Sequence, residues 1–479
     1  MLKKITYNAA ATSVSVASGL LRNKIFALFL SLNLFGVLSI GQQSVSLAMT
    51  LFAFGLPLGI TTLVSQYLSR PATEQAEMVT RLLLLAASVA GVLALIVVGV
   101  FALSPESLSL AVTGSNAFEI PMAILLLSAP LMLFETCLFA VMEGMGKVNE
   151  IVLFRIIPSL ISLPILYFLA AEFHLVGAAS GLFINEAILV GLGLFLLRKH
   201  LTFTSSALKL GPAIVQVYKV AVLSFGVGAF WFISDFIVKR YVLTALGEVE
   251  NGIVQSVAKI ADLYPTIALA WLSMHLFPVL SQRIDDKAAV ASALQRTVLV
   301  AVVIIIPIIV ILFTFRAEVL LIVYKKEFQI AVQYFGAMLA VGIVKVFSWV
   351  IGLALLPLGM KKQWFYSAVL MTILYSVGVW LGMLAGLSIY AIPVSLGISL
   401  GIQAAYVLVV YRWRKIVFDA SFLLQTILFG VMSALLVVAV FIPASLIAVV
   451  LLFAWLVYRY DLLNEIREKI HEFTSRLAS

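Results

Sequence analysis

The chain has 479 residues, 63% of them hydrophobic and 11% charged, with a net charge of +9 and a mean hydropathy of +1.16. Soluble domains carry roughly a quarter charged residues, so this composition excludes an ordinary soluble protein and describes a polytopic membrane protein. A nucleic-acid partner, which the positive charge alone would suggest, is excluded by position: most Lys and Arg fall in short gaps between apolar stretches.

The start, Met1-Leu2-Lys3-Lys4, superficially resembles a signal peptide. Arg22 and Lys24 interrupt the apolar region that follows, and no cleavage signal stands out, so the segment reads as a retained first helix. From there the apolar stretches predict fourteen membrane helices, at 8–33, 42–68, 80–103, 118–142, 150–170, 175–197, 216–246, 252–277, 296–315, 328–357, 364–386, 389–411, 421–441 and 444–460. They are too long and too continuously apolar for barrel strands, so the fold class is all-α and integral to the membrane. The longest internal linker, 198–215, divides the chain. The tail 461–479 carries Leu463, Ile466, Ile470, Phe473 and Leu477 at helical spacing and reads as an amphipathic helix on the cytoplasmic membrane surface. Cys137 stands alone, which excludes an intrachain disulfide, and reads as a packing residue.

With the N-terminus taken as cytoplasmic, 22 of the 31 Lys and Arg collect on the cytoplasmic side and 3 outside. That bias predicts both termini inside. The remaining six, Arg22, Lys24, Lys239, Arg240, Lys259 and Lys345, fall within predicted spans. Facing lipid, six such residues would cost about 15–20 kcal/mol, so they are expected to face protein or a wet cavity. A positive cavity points to an anionic cargo, and phosphate in particular suits Arg and Lys.

The two sides of the linker repeat each other at an offset of about 212–217. Gln43-Ser44-Val45 recurs as Gln255-Ser256-Val257, Ser65-Gln66 as Ser281-Gln282, and Gly144-Met145 as Gly359-Met360. Each unit holds six predicted helices, an even number, so the copies insert with the same orientation as a parallel repeat. The expected organisation is therefore a six-helix lobe over 1–197, a cytoplasmic linker 198–215, a six-helix lobe over 216–415, two extra helices in 416–460 and the tail. Arg22 and Lys24 map onto Lys239 and Arg240, which two symmetric lobes would bring face to face.

Helix eight carries Gln255, Lys259, Asp262 and Thr266 on one face, and helix seven carries Asp235 and Lys239 four apart with the acid first. Each of the two acids is either a local salt-bridge partner or a coupling-ion or proton site; Glu135 and Glu186 are further intramembrane acids. Lys239 and Arg240 lie near the outer end of their helix, where snorkelling is the competing reading. No phosphate-binding glycine loop followed by Lys-Ser/Thr is present, and the four histidines are scattered, so neither nucleotide hydrolysis nor a metal enzyme is expected. The longest predicted outer loop, 104–117, leaves no room for a catalytic domain.

The basic first helix running into Leu34-Phe35-Gly36, the Pro57-Leu58-Gly59 stretch before Ser65-Gln66 and the Gly144-Met145-Gly146-Lys147 loop complete the pattern. This layout resembles the polysaccharide transporter branch, the Wzx-like flippases, of the multidrug/oligosaccharidyl-lipid/polysaccharide (MOP) exporter superfamily. The two helices beyond twelve look like the lipid II flippase and certain polysaccharide exporters. The resemblance implies a non-enzymatic flippase of a bacterial cytoplasmic (inner) membrane, carrying a polyprenyl-pyrophosphate-linked glycan such as an O-antigen precursor to the outer leaflet. The six cations would hold the pyrophosphate. It further implies antiport of H+ or Na+ through an acid, no other cofactor, and membrane lipids and the polysaccharide polymerase machinery as partners. The competing readings are a multidrug exporter of the same superfamily, for which an acidic cavity is expected, and a membrane polymerase or ligase.

Overall fold

The structure, a computed structural model, describes residues 2–202, 211–265, 276, 280 and 285–460. Thr266, Trp271, the Ser281-Gln282 half of the repeat, part of the linker and the tail 461–479 lie outside the described residues. Among the described residues the chain is helical throughout, with nine helices long and apolar enough to cross a membrane. One of those nine, Val148–His200, holds two of the predicted spans. Predicted spans one, seven, eight and fourteen fall outside the nine; the first three of these carry Arg22, Lys24, Asp235, Lys239, Arg240, Lys259 and Asp262.

By internal packing the chain forms two compact units: Met1–Gly252 with Val323–Glu327, and Ile253–Ile322 with Phe328–Ser479. The first unit opens with α1 (Leu2–Phe29), α2 (Leu32–Ala53) and α3 (Leu56–Tyr67). The predicted first two spans, 8–33 and 42–68, are redrawn here. The break falls at Leu30-Ser31, and Gln42-Gln43-Ser44, read as the start of span two, lies inside α2. Polar residues alone do not end a membrane helix when partners wait across the interface, and Gln43 has such partners on a neighbouring helix. A second break follows at Phe54 and Gly55, both in the left-handed region (φ 44° and 75°), ahead of Pro57.

Next come α4 (Ala72–Leu103), begun by Pro71, the short α5 (Pro105–Thr113), α6 (Glu119–Gly144) and α7 (Val148–Leu197). α7 is two helices, not one: His174 breaks it (φ 45°, ψ −118°), so the predicted spans 150–170 and 175–197 stand as its two limbs. The limbs fold together closely enough that a Cβ on Gly177 would strike the Leu169 carbonyl. α6 packs on α7, α4, α3 and α2, while α1 lies chiefly against α7. Phe26, Phe35, Leu38 and Phe154 fill this core, all of them buried. Leu95 and Leu103 of α4 are 74% and 89% exposed, as a lipid-facing surface requires. α8 (Gly211–Leu246), the seventh predicted span, packs on α2 and α3 within this unit, and α9 (Glu248–Ala261) follows.

The second unit contains α10 (Lys287–Thr314), the short α11 (Arg316–Val323), α12 (Val332–Ala340), α13 (Gly342–Leu353), α14 (Lys361–Leu384), α15 (Ala391–Trp413), α16 (Ala420–Ala439) and α17 (Ser445–Arg459). The predicted span 328–357 stands as one candidate membrane span, Lys326–Leu353, in which α12 and α13 meet at Val341 with helical backbone angles (φ −76°, ψ −15°). α14 pairs with α15, α13 packs on α15 and α10, and α16 lies on α12, α13 and α17. Tyr411 donates to the Ile351 carbonyl at 2.6 Å and Ser348 to Gln403 at 2.9 Å, whereas the Tyr334 hydroxyl and the Gln425 amide oxygen are buried without a hydrogen bond. A short helix follows the third span in each half, α5 after α4 and α11 after α10; neither was predicted, because each is only 8 or 9 residues long.

Candidate functional site

The first unit contains an open cavity of about 520 Å³ among α1, α6 and both limbs of α7. Four charged side chains line it: Arg22 from α1, Glu135 from α6, and Arg155 and Glu186 from α7. Each is placed by ordinary helical spacing. Ser18 and Arg22 are one turn apart, Met132, Glu135 and Phe139 follow at three and four, and Arg155, Ser159 and Ser162 at four and three. Pro158 also lines the wall and cannot donate to the Phe154 carbonyl one turn back, so the helix is locally under-bonded beside the cavity.

The charges are interleaved. Glu186 is within electrostatic reach of Arg22 and of Glu135, and Arg155 of Glu135. Thr136 donates to Glu135 at 3.2 Å and Asn185 to Glu186 at 3.1 Å. The Arg155 guanidinium lies over the Phe139 ring at 5.0 Å, a cation–π contact that holds it flat against the wall. The Arg22 Nε is buried and makes no hydrogen bond. The Nε atoms of Arg81, Arg240 and Arg316 likewise make no hydrogen bond, and of these four arginines it is Arg22 that lines the cavity. With both acids ionised the four charges cancel; with both protonated the cavity carries two positive charges.

The other predicted cations lie elsewhere. Lys24 donates to the Tyr324 carbonyl at 2.5 Å. Lys239 pairs with Asp235 at 2.8 Å and donates to the Gln43 amide oxygen at 3.0 Å, while the Gln43 amide nitrogen donates to Asp235. Arg240 donates to the Leu110 carbonyl at 3.1 Å, near the C-terminus of α5, where a positive charge suits the helix dipole. In the second unit Lys345 pairs with Asp262 at 2.5 Å and lies 4.8 Å from the Trp349 ring centre. Lys259 is half-buried on α9. Of the six predicted cations, the cavity lining includes Arg22; of the three predicted acids, Glu135. Among the described residues no group of three or more His, Cys, Asp or Glu gathers as a bound metal would require.

Sequence reasoning assigned Arg155 to the cytoplasmic loops because it lies near the start of its span. The signal that would have found it was present: Arg155, Ser159 and Ser162 share a face, the same criterion that singled out helix eight. Glu186 was recognised as an intramembrane acid, but no spacing links it to Arg22, which is 164 positions away in the sequence.

No protein-family profile and no curated protein matches the sequence. Solved structures do. The chain is similar to a multidrug resistance MATE family transporter of the MOP superfamily in its inward-facing conformation (TM-score 0.71, 13% identity), with 84% of this chain and 97% of that one covered. It is similar to the lipid II flippase MurJ in an inward closed conformation (TM-score 0.62, 16% identity), over 96% of this chain and 100% of the other. A third similar structure is a MOP superfamily transporter from Pyrococcus furiosus, described as having a binding pocket of reverse polarity (TM-score 0.60, 14% identity), with 84% and 95% covered. The chain thus has the fold of MOP superfamily transporters and is a multi-pass membrane protein.

Proposed function

We propose that the chain is a flippase that moves a polyprenyl-pyrophosphate-linked oligosaccharide from the inner to the outer leaflet of a bacterial cytoplasmic membrane. The observation that carries this reading is that Arg22 and Arg155 line one cavity between apolar helices, with the Arg22 Nε unsatisfied. Two guanidiniums give the bidentate, charge-assisted bonds that phosphate oxygens accept best. A cavity of about 520 Å³ falls in the size range of ligand sites and accommodates the charged headgroup, leaving the polyprenyl tail in lipid. Similarity to the lipid II flippase over 96% of the chain, against 84% for the multidrug transporter, supports the reading. The difference is comparable in length with α16, α17 and the tail.

Glu135 and Glu186 supply the coupling in this reading. Protonated, they release the two arginines to the pyrophosphate; ionised, they compete for them and expel it. Protonation and cargo binding therefore favour each other, the opposite sign to the antiport that the resemblance implies, and both termini are cytoplasmic in this reading, as the charge bias predicts. Asp235 and Asp262 hold lysines and serve the fold.

A second reading, export of cationic drugs, is favoured by the two carboxylates and by the higher TM-score to the multidrug transporter. One experiment separates them. Purified protein in proteoliposomes is given a fluorescent pyrophosphate-linked glycan or a cationic dye, with and without a pH gradient. The flippase reading expects glycan transport that Arg22→Gln and Arg155→Gln each reduce by at least roughly tenfold, the loss of one charge-assisted contact. Dye efflux that survives both substitutions, without glycan transport, overturns it.

A further inference from the structure

The corner between α1 and α2 is bound by a segment almost 300 residues away in the sequence. Val323–Glu327 packs with the first unit as a five-residue strap. Its contacts are specific. The Lys325 ammonium donates to the Leu30 carbonyl at 2.8 Å, and the Glu327 carboxylate accepts from the Leu32 amide at 2.6 Å. Lys325 and Glu327 pair with each other at 3.1 Å. Lys24 of α1 reaches back to the Tyr324 carbonyl, and the Tyr324 ring meets Phe35 edge to face at 5.5 Å.

The bonds to Leu30, Leu32 and Tyr324 each satisfy a helix end. Leu30 follows the last residue of α1, so its carbonyl has no donor within the helix; Leu32 is the first residue of α2, so its amide has no acceptor there. A cation at the first and an anion at the second also match the two helix dipoles. Tyr324 likewise follows the end of α11. The strap is thus a set of caps supplied from outside.

The local cap is present but unused. Ser31 is the N-cap residue of α2, one of the best residue types for that position, yet it makes no capping bond. Its hydroxyl donates instead to the Asn33 side chain. Asn33 in turn donates to Glu248 at 3.3 Å, and Asn251 to the Gly36 carbonyl at 3.0 Å, so the α8–α9 turn is tied into the same corner.

We propose that strap and corner form a cap-exchange latch: Glu327 caps α2 when the corner is closed, and Ser31 takes over the capping when the strap and the α8–α9 turn withdraw. On opening, the Leu32 amide that Glu327 held turns to water while Ser31 accepts from the second or third amide, so the start of α2 keeps one capping bond in both arrangements, which holds them close in free energy, as a switch requires. α1 joins the latch to the cavity, since Arg22 and Lys24 are two residues apart and so lie about 200° around the helix from one another. The latch rests on the reading of the chain as a transporter that changes state, and it does not depend on the cargo.

The test uses the full chain in nanodiscs with Cys137→Ala and a reporter Val37→Cys, buried beneath the corner. Labelling by a water-soluble maleimide reports opening. Glu327→Gln and Lys325→Met each accelerate labelling by roughly three- to tenfold, the effect of one charge-assisted bond partly replaced by water. Ser31→Ala, which removes the standby cap, slows labelling by at least about twofold, the lower end of the effect of losing an N-cap. Opposite shifts support the exchange. Shifts of the same sign, or none in protein that elutes as a folded species, overturn it. Hydrogen exchange of the peptide containing Leu32 gives a second measurement: it quickens in Glu327→Gln if the latch exists and is unchanged if it does not. A chain that proved to carry another cargo would still show these shifts, and a failed latch would leave glycan transport untouched.

Discussion

The Asp235–Lys239 pair allows a quantitative test of its role. The two side chains are 14% and 16% exposed, 2.8 Å apart, one turn from each other on α8, and both bonded to Gln43 of α2. At that separation two unit charges attract by about 6 kcal/mol at an effective dielectric constant of 20. Desolvation of both ions offsets most of it. Removing one partner forfeits the attraction while the other ion keeps its desolvation cost, so Asp235→Asn and Lys239→Met each destabilise by about 2 kcal/mol, below the fully buried range because both groups retain some exposure. The double substitution removes both charges and should cost only about 1 kcal/mol, an interaction energy of about 3 kcal/mol in the cycle. Detergent-driven unfolding followed by tryptophan fluorescence measures all four corners. If the double variant costs the sum of the singles, the pair is not coupled and the argument fails. Glycan transport by the double variant is a companion readout, since a pair that only holds α2 on α8 is dispensable once both charges are gone.

Three further outcomes follow from the geometry. A Cβ at Gly36 would lie 2.7 Å from the Gly252 backbone nitrogen, so Gly36→Ala should destabilise by about 1–3 kcal/mol and lower the unfolding temperature; an unchanged temperature would mean the α8–α9 turn does not press on α2. Lys345 is 11% exposed and its partner Asp262 57%, so Asp262→Asn, which strands the lysine, should cost more than Lys345→Met, which frees a solvated carboxylate; the reverse order in unfolding temperature would refute this. Asp419 caps α16, and its carboxyl lies below the usual range because the Ser421 hydroxyl and then the Phe422 amide bond its charged form. A depressed value stabilises the fold above the unfolded pKa and loses that contribution as pH falls through the folded one. Asp419→Ala should therefore cost about 1 kcal/mol at neutral pH, with the gap in unfolding temperature closing below about pH 4.

Long apolar runs and the clustering of Lys and Arg made most spans legible, because lipid demands both signals from every crossing. Even the break inside α7 was visible, since Glu172 and His174 interrupt the apolar run there. The break at Leu30-Ser31 was not, because tertiary partners bond its helix ends, nor was that at Phe54-Gly55, where one glycine ahead of Pro57 turns the chain without a run of polar residues. Gln42-Gln43-Ser44 misled for the complementary reason: its polarity serves a neighbour within the membrane, not a loop. The candidate site was half legible. Arg22 and Glu135 stood out as charges within spans, and the cavity gathers them with Arg155 and Glu186, whose proximity only packing of α7 on α1 and α6 creates. Pair preferences along single helices revealed Asp235–Lys239, but the partner of Lys345 lies on another helix, 83 residues distant.

The external capping of α2 also has a consequence for how the chain is made. Leu32 and Glu327 are 295 residues apart, so at about 5–20 residues per second the ribosome delivers the carboxylate some 15–60 s after α2 has emerged. Throughout that interval the insertion machinery handles a helix whose N-cap residue, Ser31, is the capping group at hand for its second and third amides. Under the proposed exchange, the hydroxyl that serves Asn33 in the finished protein is the group that caps the nascent α2, and the first exchange of caps belongs to biogenesis.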